Sequence, residues 1–310
     1  MTEKHKMQEL QELSTKSGPL CVGLDTDPSY IPEPIIKNIG SKEEAVLTYN
    51  REIIHRICTD KSACCCKVQI AYYEAMGLKG LEVYAKTLKM VKEAGLIAIS
   101  DIKRGDIAAT ADAYAKAHFS GDFETDIITI NPYMGFDTLV PFAKYAEPAK
   151  GSKGMFVLLR TSNPGMMDIE QQELKSGERV LDKVGKAIAT LGNEYKSFFP
   201  EQKTLPFGAV VGCTEESDAK TLRNAYPEMF FLIPGYGAQG GDARIAATLL
   251  NKAGGTVNSS RGILCAWKKD EDLASKRENH SLSLADIADS AAKAAIEAKK
   301  DLLNAKNSLN

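Results

Sequence analysis

The chain has 310 residues, with 39 basic against 41 acidic side chains and a formal net charge of −2. That near-balance argues against a nucleic-acid coat or a polybasic membrane binder. With 44% apolar and 26% charged residues the composition is that of a soluble globular chain rather than a disordered one, and the length suits one α/β barrel of about 250 residues with extensions.

The opening segment 1–18 is polar, lacks the apolar core of a secretory signal and reads as an N-terminal helix. No later run approaches the roughly 18 apolar residues of a membrane span. Eight short apolar runs then follow, at 19–25, 63–71, 95–101, 126–132, 154–160, 207–212, 229–235 and 255–262. Their continuous rather than alternating apolar character suits strands buried on both faces of a parallel sheet. Most intervals between them fit one strand plus one helix. Ser41 and Glu44 form a capping-box pattern ahead of a helix carrying Val46, Ile53, Ile54 and Ile57. Two further helices are expected to stop at Gly95 and Gly121. The long 161–206 interval reads as loop through Gly177, then as helix; as a long loop after the fifth strand it would lie over the top of the barrel or be a surface insertion. The charged stretch 267–280 reads as a solvated loop, and Ser283 with Asp286 opens a last Ala-rich helix. Eight strands alternating with helices predict a (β/α)8 barrel, a single domain over 1–310 with its core at about 19–300. An open doubly wound sheet is the alternative, because periodicity does not reveal closure.

The seven cysteines read as reduced thiols of a cytoplasmic protein. Cys64, Cys65 and Cys66 are consecutive; in a strand they alternate faces, so they do not converge on one metal and serve as small apolar filler. The four histidines show no ligand spacing, so neither a metal site nor a catalytic histidine is expected.

Polar residues collect where strands end. Asp25 closes the first, Asp101 the third, with Lys103 and Asp106 just beyond; Ser162 and Asn163 follow the fifth, 234–241 the seventh, and 259–262 the eighth. A barrel converges these positions at its C-terminal mouth. If the third strand persists, Asp101 and Lys103 share one face, with Asp106 in the next turn. Carboxylates around a lysine favour its ammonium form, an acid rather than a nucleophile. The glycine-rich loop after the seventh strand and Arg261 after the eighth suit a phosphate. No dinucleotide fingerprint follows, so NAD is not invoked. Asn131 ends the fourth strand, with no role assigned.

At these residues the sequence resembles the orotidine 5′-phosphate decarboxylase family, in its longer bacterial (type 2) form. The resemblance rests on Val22–Asp25, Asp101–Ile107, Thr161–Gly165, Ile233–Gly240 and Arg261–Gly262, and covers most of the chain. It implies a (β/α)8 barrel, a homodimer with two shared active sites, and conversion of orotidine 5′-phosphate to UMP and CO2 in pyrimidine biosynthesis with no metal and no cofactor. Lys67, Asp101, Lys103 and Asp106 would form an alternating charge network, Lys103 protonating C6. Asp106, Ile107 and Thr110 would enter the partner's site. Asp25 and Lys67 would hold ribose hydroxyls, as would Thr110 from the partner; Ser162 would bind the pyrimidine edge, Pro234 would line the base pocket, and Gln239 and Arg261 would grip the phosphate. Tyr236 and Gln239 lie in the loop expected to close. The rival readings are a Mg2+-dependent sugar-phosphate enzyme of the same superfamily, a Schiff-base aldolase using Lys103, and a non-catalytic UMP-binding module.

Overall fold

The computed structural model describes residues 4–212, 214–236 and 242–309. Its strands are β1 (Leu20–Gly23), β2 (Cys65–Gln69), β3 (Ile97–Arg104), β4 (Ile127–Ile130), β5 (Gly154–Arg160), β6 (Phe207–Val211), β7 (Phe231–Ile233) and β8 (Gly255–Ser259). Each pairs in parallel with the next, and β8 pairs in parallel with β1, so the sheet closes into a barrel and the open sheet is excluded. Each of the eight apolar runs coincides with one strand, β3 continuing three residues past its run to Arg104.

The runs are continuous because both faces of every strand are covered. Outward residues such as Val22, Val68, Ala98 and Ile128 pack against the surrounding helices. Inward residues such as Cys21, Cys65, Ile99, Phe156 and Phe230 fill the barrel. Helix Lys6–Ser17 plugs the N-terminal mouth by adding Met7 and Leu10 to that inner cluster. His5 caps it, its Nδ1 accepting the Met7 N–H at 3.1 Å, while Gln11 and Ser14 donate to the carbonyls of Ala253 and Gly255. That apolar packing fills the N-terminal end of the barrel and leaves its C-terminal mouth for a ligand.

Ser41 Oγ accepts the Glu44 N–H at the start of helix Lys42–Thr59, and Ser283 and Asp286 cap helix Leu284–Asn307 reciprocally. Helices Gly77–Glu93 and Ala108–Phe119 stop two residues before Gly95 and Gly121.

Three expectations are corrected. The segment read as loop after β5 contains helix Met166–Ile169, followed by a bridge between Glu173 and Arg179, because the Arg179–Asp218 ion pair ties it to the helix after β6. The stretch 267–280 is partly helical, at Ala274–Glu278, and is anchored where Trp267 Nε1 donates to the Tyr30 carbonyl at 2.9 Å. Cys64 and Cys65 do not take opposite faces: β2 begins only at Cys65, so strict alternation does not reach Cys64, and the two sulfurs lie 3.7 Å apart in the inner cluster. Cys66 alone of the three faces the helices. The described cysteines are all free thiols, and among the described residues no helix is long and apolar enough to cross a membrane.

Candidate active site

Inward positions turn polar along β2, β3 and β4 and are polar throughout β8. β3 runs from Ile97 and Ile99 to Asp101 and Lys103, β2 from Cys65 to Lys67 and Gln69, β4 from Ile127 to Thr129, and β8 from Thr256 to Asn258. Alternation thus carries the polar residues up to the C-terminal mouth. A cavity of about 730 Å³ opens there, lined by Asp25, Lys67, Asp101, Lys103, Ser162, Pro234 and Arg261, among others.

At its floor is a chain of alternating charge. Lys67 Nζ lies 3.0 Å from Asp25 Oδ1 and 2.9 Å from Asp101 Oδ2, and Lys103 Nζ lies 2.6 Å from Asp101 Oδ1. Burial works against the Lys67 ammonium, but Asp101 and Asp25 outweigh it and hold its pKa far above the ordinary lysine range. Burial likewise works against the Asp101 carboxylate, and Lys67 and Lys103 overcome it, leaving its pKa well below the usual carboxylate value. Lys67 and Asp101 are 6% and 8% exposed, whereas Lys103 is 45% exposed and lines the cavity.

The strand does persist through Asp101 and Lys103, with an irregularity. The β3–β4 register shifts between Ser100 and Arg104, and Lys103 has φ +45°, the left-handed region that a lysine rarely occupies.

Gln69, Thr129 and Asn258 escaped the sequence reading, and Ser260 lay within the 259–262 segment without a role of its own. Asp101 also accepts from Gln69 Nε2 at 3.0 Å and from Thr129 Oγ1 at 2.8 Å. Ser260 Oγ donates to Asp25 Oδ2 at 2.8 Å and accepts from Asn258 Nδ2 at 3.2 Å. Their signal was strand parity: Gln69 is two residues beyond Lys67, and Asn258 two before Ser260. Gly23 makes room for this pair, since a Cβ there would fall 2.0 Å from Ser260 Oγ.

Ser162 is set by its surroundings. The preceding Thr161 presents its N–H and hydroxyl to Glu170 at 2.8 and 2.7 Å. Fully buried Arg160 pairs with Asp218, which also pairs with Arg179 across the segment. Gly212 backs Ser162 so closely that a Cβ would approach its Cα to 3.0 Å.

Asp106, Ile107 and Thr110 do not line this cavity. Asp106 Oδ1 accepts the Ile107 N–H at 2.8 Å, Ile107 is 53% exposed and Thr110 is exposed. Asn131 is also outside it: β4 ends at Ile130, and the Asn131 side chain accepts the Tyr133 N–H at 2.9 Å. Tyr236 lines the cavity and donates its hydroxyl to Asp301 of the C-terminal helix. Gln239 lies outside the described residues. Among the described residues no group of three or more His, Cys, Asp or Glu side chains is arranged to hold a metal ion.

Residues 18–274 match the family model described as orotidine 5′-phosphate decarboxylase / HUMPS family. The orotidine 5′-phosphate decarboxylase of Clostridium novyi is 50% identical over 267 residues, covering 86% of this chain and 91% of its own length. The chain belongs to this family. The orotidine 5′-phosphate decarboxylase of Clostridium perfringens is 52% identical over 265 residues, covering 85% of this chain and 90% of its own. Among solved structures, the OMP decarboxylase of Leishmania donovani superimposes with a TM-score of 0.65 at 26% identity, covering 92% of this chain and 99% of its own. The orotidine 5′-phosphate decarboxylase / HUMPS match runs from before β1 to beyond β8, and so includes the whole charge array and Arg261.

Proposed function

We propose that this chain decarboxylates orotidine 5′-phosphate to UMP and CO2, with Lys103 as the catalytic acid. The observation that carries the proposal is the half-exposed Lys103 ammonium, held 2.6 Å from Asp101 at the floor of the cavity. Breaking the bond between C6 and its carboxylate leaves the electron pair in an in-plane sp2 orbital that the pyrimidine ring delocalises poorly. A preorganised cation beside C6 in a site closed to water stabilises that charge most where it develops. The Lys103 ammonium does so, then transfers a proton to C6 and regains one from solvent. Asp101, kept ionised by its neighbours, sits beside the departing carboxylate. The chemistry calls for no metal and no cofactor.

Binding is distributed around the mouth. Asp25 and Lys67 take ribose hydroxyls, Ser162 takes the pyrimidine edge, and Pro234 flanks the base. Arg261 and Gln239 take the phosphate, whose remote binding energy serves the transition state by ordering loops around the ring. We assign Asp106, Ile107 and Thr110 to the site of a second subunit in a homodimer. The exposure of Ile107 and Thr110, with that of Tyr133 (76%) and Met134 (51%) on the β4 loop, fits a surface that a second copy covers. The chain is read as cytoplasmic, a setting in which its free thiols stay reduced.

The test is an ultraviolet assay of orotidine 5′-phosphate loss with UMP identified as product, run with and without a chelator. Turnover unaffected by chelation is expected. Absence of turnover contradicts the proposal, and turnover abolished by chelation points to the metal-dependent chemistry of the sugar-phosphate enzymes.

A further inference from the structure

Lys103 poses a local problem. A lysine at φ +45° within a buried strand is strained, and the shifted β3–β4 register removes regular ladder partners from the backbone around it. Something must accept the N–H groups of residues 102 and 103.

That acceptor is one hydroxyl. Thr129 Oγ1, from the neighbouring strand, accepts the N–H of Ile102 and the N–H of Lys103, both at 3.0 Å. The same oxygen lies 2.8 Å from Asp101 Oδ1. A threonine hydroxyl has two lone pairs and one proton. Both lone pairs face backbone donors, so the proton is directed at Asp101. Thr129 is 1% exposed, and its bonds to the Ile102 N–H and to Asp101 are buried.

We propose that Thr129 is a positioning residue for decarboxylation: its hydroxyl fixes the left-handed bulge that aims Lys103 into the cavity and simultaneously orients the Asp101 carboxylate. It rests on the reading of the chain as an orotidine 5′-phosphate decarboxylase, with Lys103 as acid. Thr129 acts through these two groups. Lys103 and Asp101 belong to the reacting centre, so a loosened bulge lowers the turnover step. Asp25 and Arg261, assigned to ribose and phosphate, follow β1 and β8 rather than β3 or β4 and keep their geometry.

The experiment compares wild type, Thr129→Val and Thr129→Ser by steady-state kinetics with orotidine 5′-phosphate and by equilibrium binding of UMP. Valine preserves the shape, removes the hydroxyl and leaves the buried Ile102 N–H and the part-buried Lys103 N–H without that acceptor. A fall in kcat of roughly 10–100-fold is expected, the usual scale for losing hydrogen bonds to a charged group and to buried donors. KM and UMP affinity should stay within about threefold, and serine should restore most of kcat. Should Thr129→Val not fold, Thr129→Ala read against Thr129→Ser makes the same comparison. Unchanged kcat in the hydroxyl-free variant, a serine variant as impaired as valine, or a loss expressed mainly in KM would each overturn the assignment. If wild type itself releases no UMP, the decarboxylase reading has failed, an outcome distinct from any difference among the variants.

Discussion

At the residue scale the site is a set of side chains that hold one another's charge state and direction. Asp101 receives four donors, two on each oxygen: Lys67 and Gln69 on Oδ2, Lys103 and Thr129 on Oδ1. Asp25 is shared between Lys67 and Ser260. Ser260→Ala removes one directed bond from the carboxylate assigned to ribose. That contact exists in ground and transition states alike, so KM should rise about tenfold with kcat within about threefold; steady-state kinetics check this, and a loss confined to kcat would contradict it. Asp101 and Lys103 were legible because a short charged motif at a strand end is visible in one dimension, whereas Lys67, alone in an apolar run, came only with the family resemblance. Gln69, Thr129 and Asn258 were not singled out, and Ser260 was included only as part of 259–262. Neutral side chains in apolar runs gain meaning only when strand parity shows which face they share with the charges. Asn131 shows the converse: it has the inward parity of Thr129, but the strand stops one residue before it.

At the element scale, two segments outside the strands set the site's stability and shape. The N-terminal helix is capped by His5, fully buried with its ring edge-on to Phe199 at 5.1 Å. Burial lowers its pKa from the ordinary 6.5 to about 3. The folded protein therefore holds His5 neutral while the unfolded chain protonates below about 6.5. Its contribution is fully present above 6.5 and drains away as pH falls toward 3. Between pH 7 and pH 5 this one group should cost about 2 kcal/mol of unfolding free energy. Urea unfolding at the two pH values should show that loss in wild type and a smaller one in His5→Asn, which keeps a cap acceptor; equal losses would contradict the account. The second segment, 161–182, lies across the β5 and β6 ends through Arg160, Asp218 and Arg179. Asp218→Ala would leave the buried Arg160 guanidinium without its carboxylate and should destabilise the fold by about 3 kcal/mol, measurable in the same urea titration; a change below about 1 kcal/mol would contradict that role. The sequence showed this segment's length and turn residues but not its structure, because the ion pairs that fold it join positions some 40 to 60 apart.

At the scale of the whole molecule, all eight strands could be read from apolar runs and their spacing, since a strand buried on both faces leaves that trace in the sequence. Closure could not: it rests on β1 pairing with β8, a contact between segments more than 230 residues apart. The partner-derived half of the proposed site is likewise a property of the assembly. If Lys103 and Asp106 belong to different subunits of one site, Lys103→Ala and Asp106→Ala chains should each be nearly inactive alone. Co-expressed in equal amounts, they should regain about a quarter of wild-type activity, because half of the dimers are mixed and each has one intact site. No recovery from the mixture would place Asp106 outside a shared site. The claim beneath all of this is the reaction itself. Its most direct test is release of labelled CO2 from carboxyl-labelled orotidine 5′-phosphate, compared between wild type and Lys103→Ala at matched fold integrity by circular dichroism. The account predicts one CO2 per UMP from wild type and a rate at least about 10⁴-fold lower from the variant; no release by wild type, or near-normal release by Lys103→Ala, would contradict it.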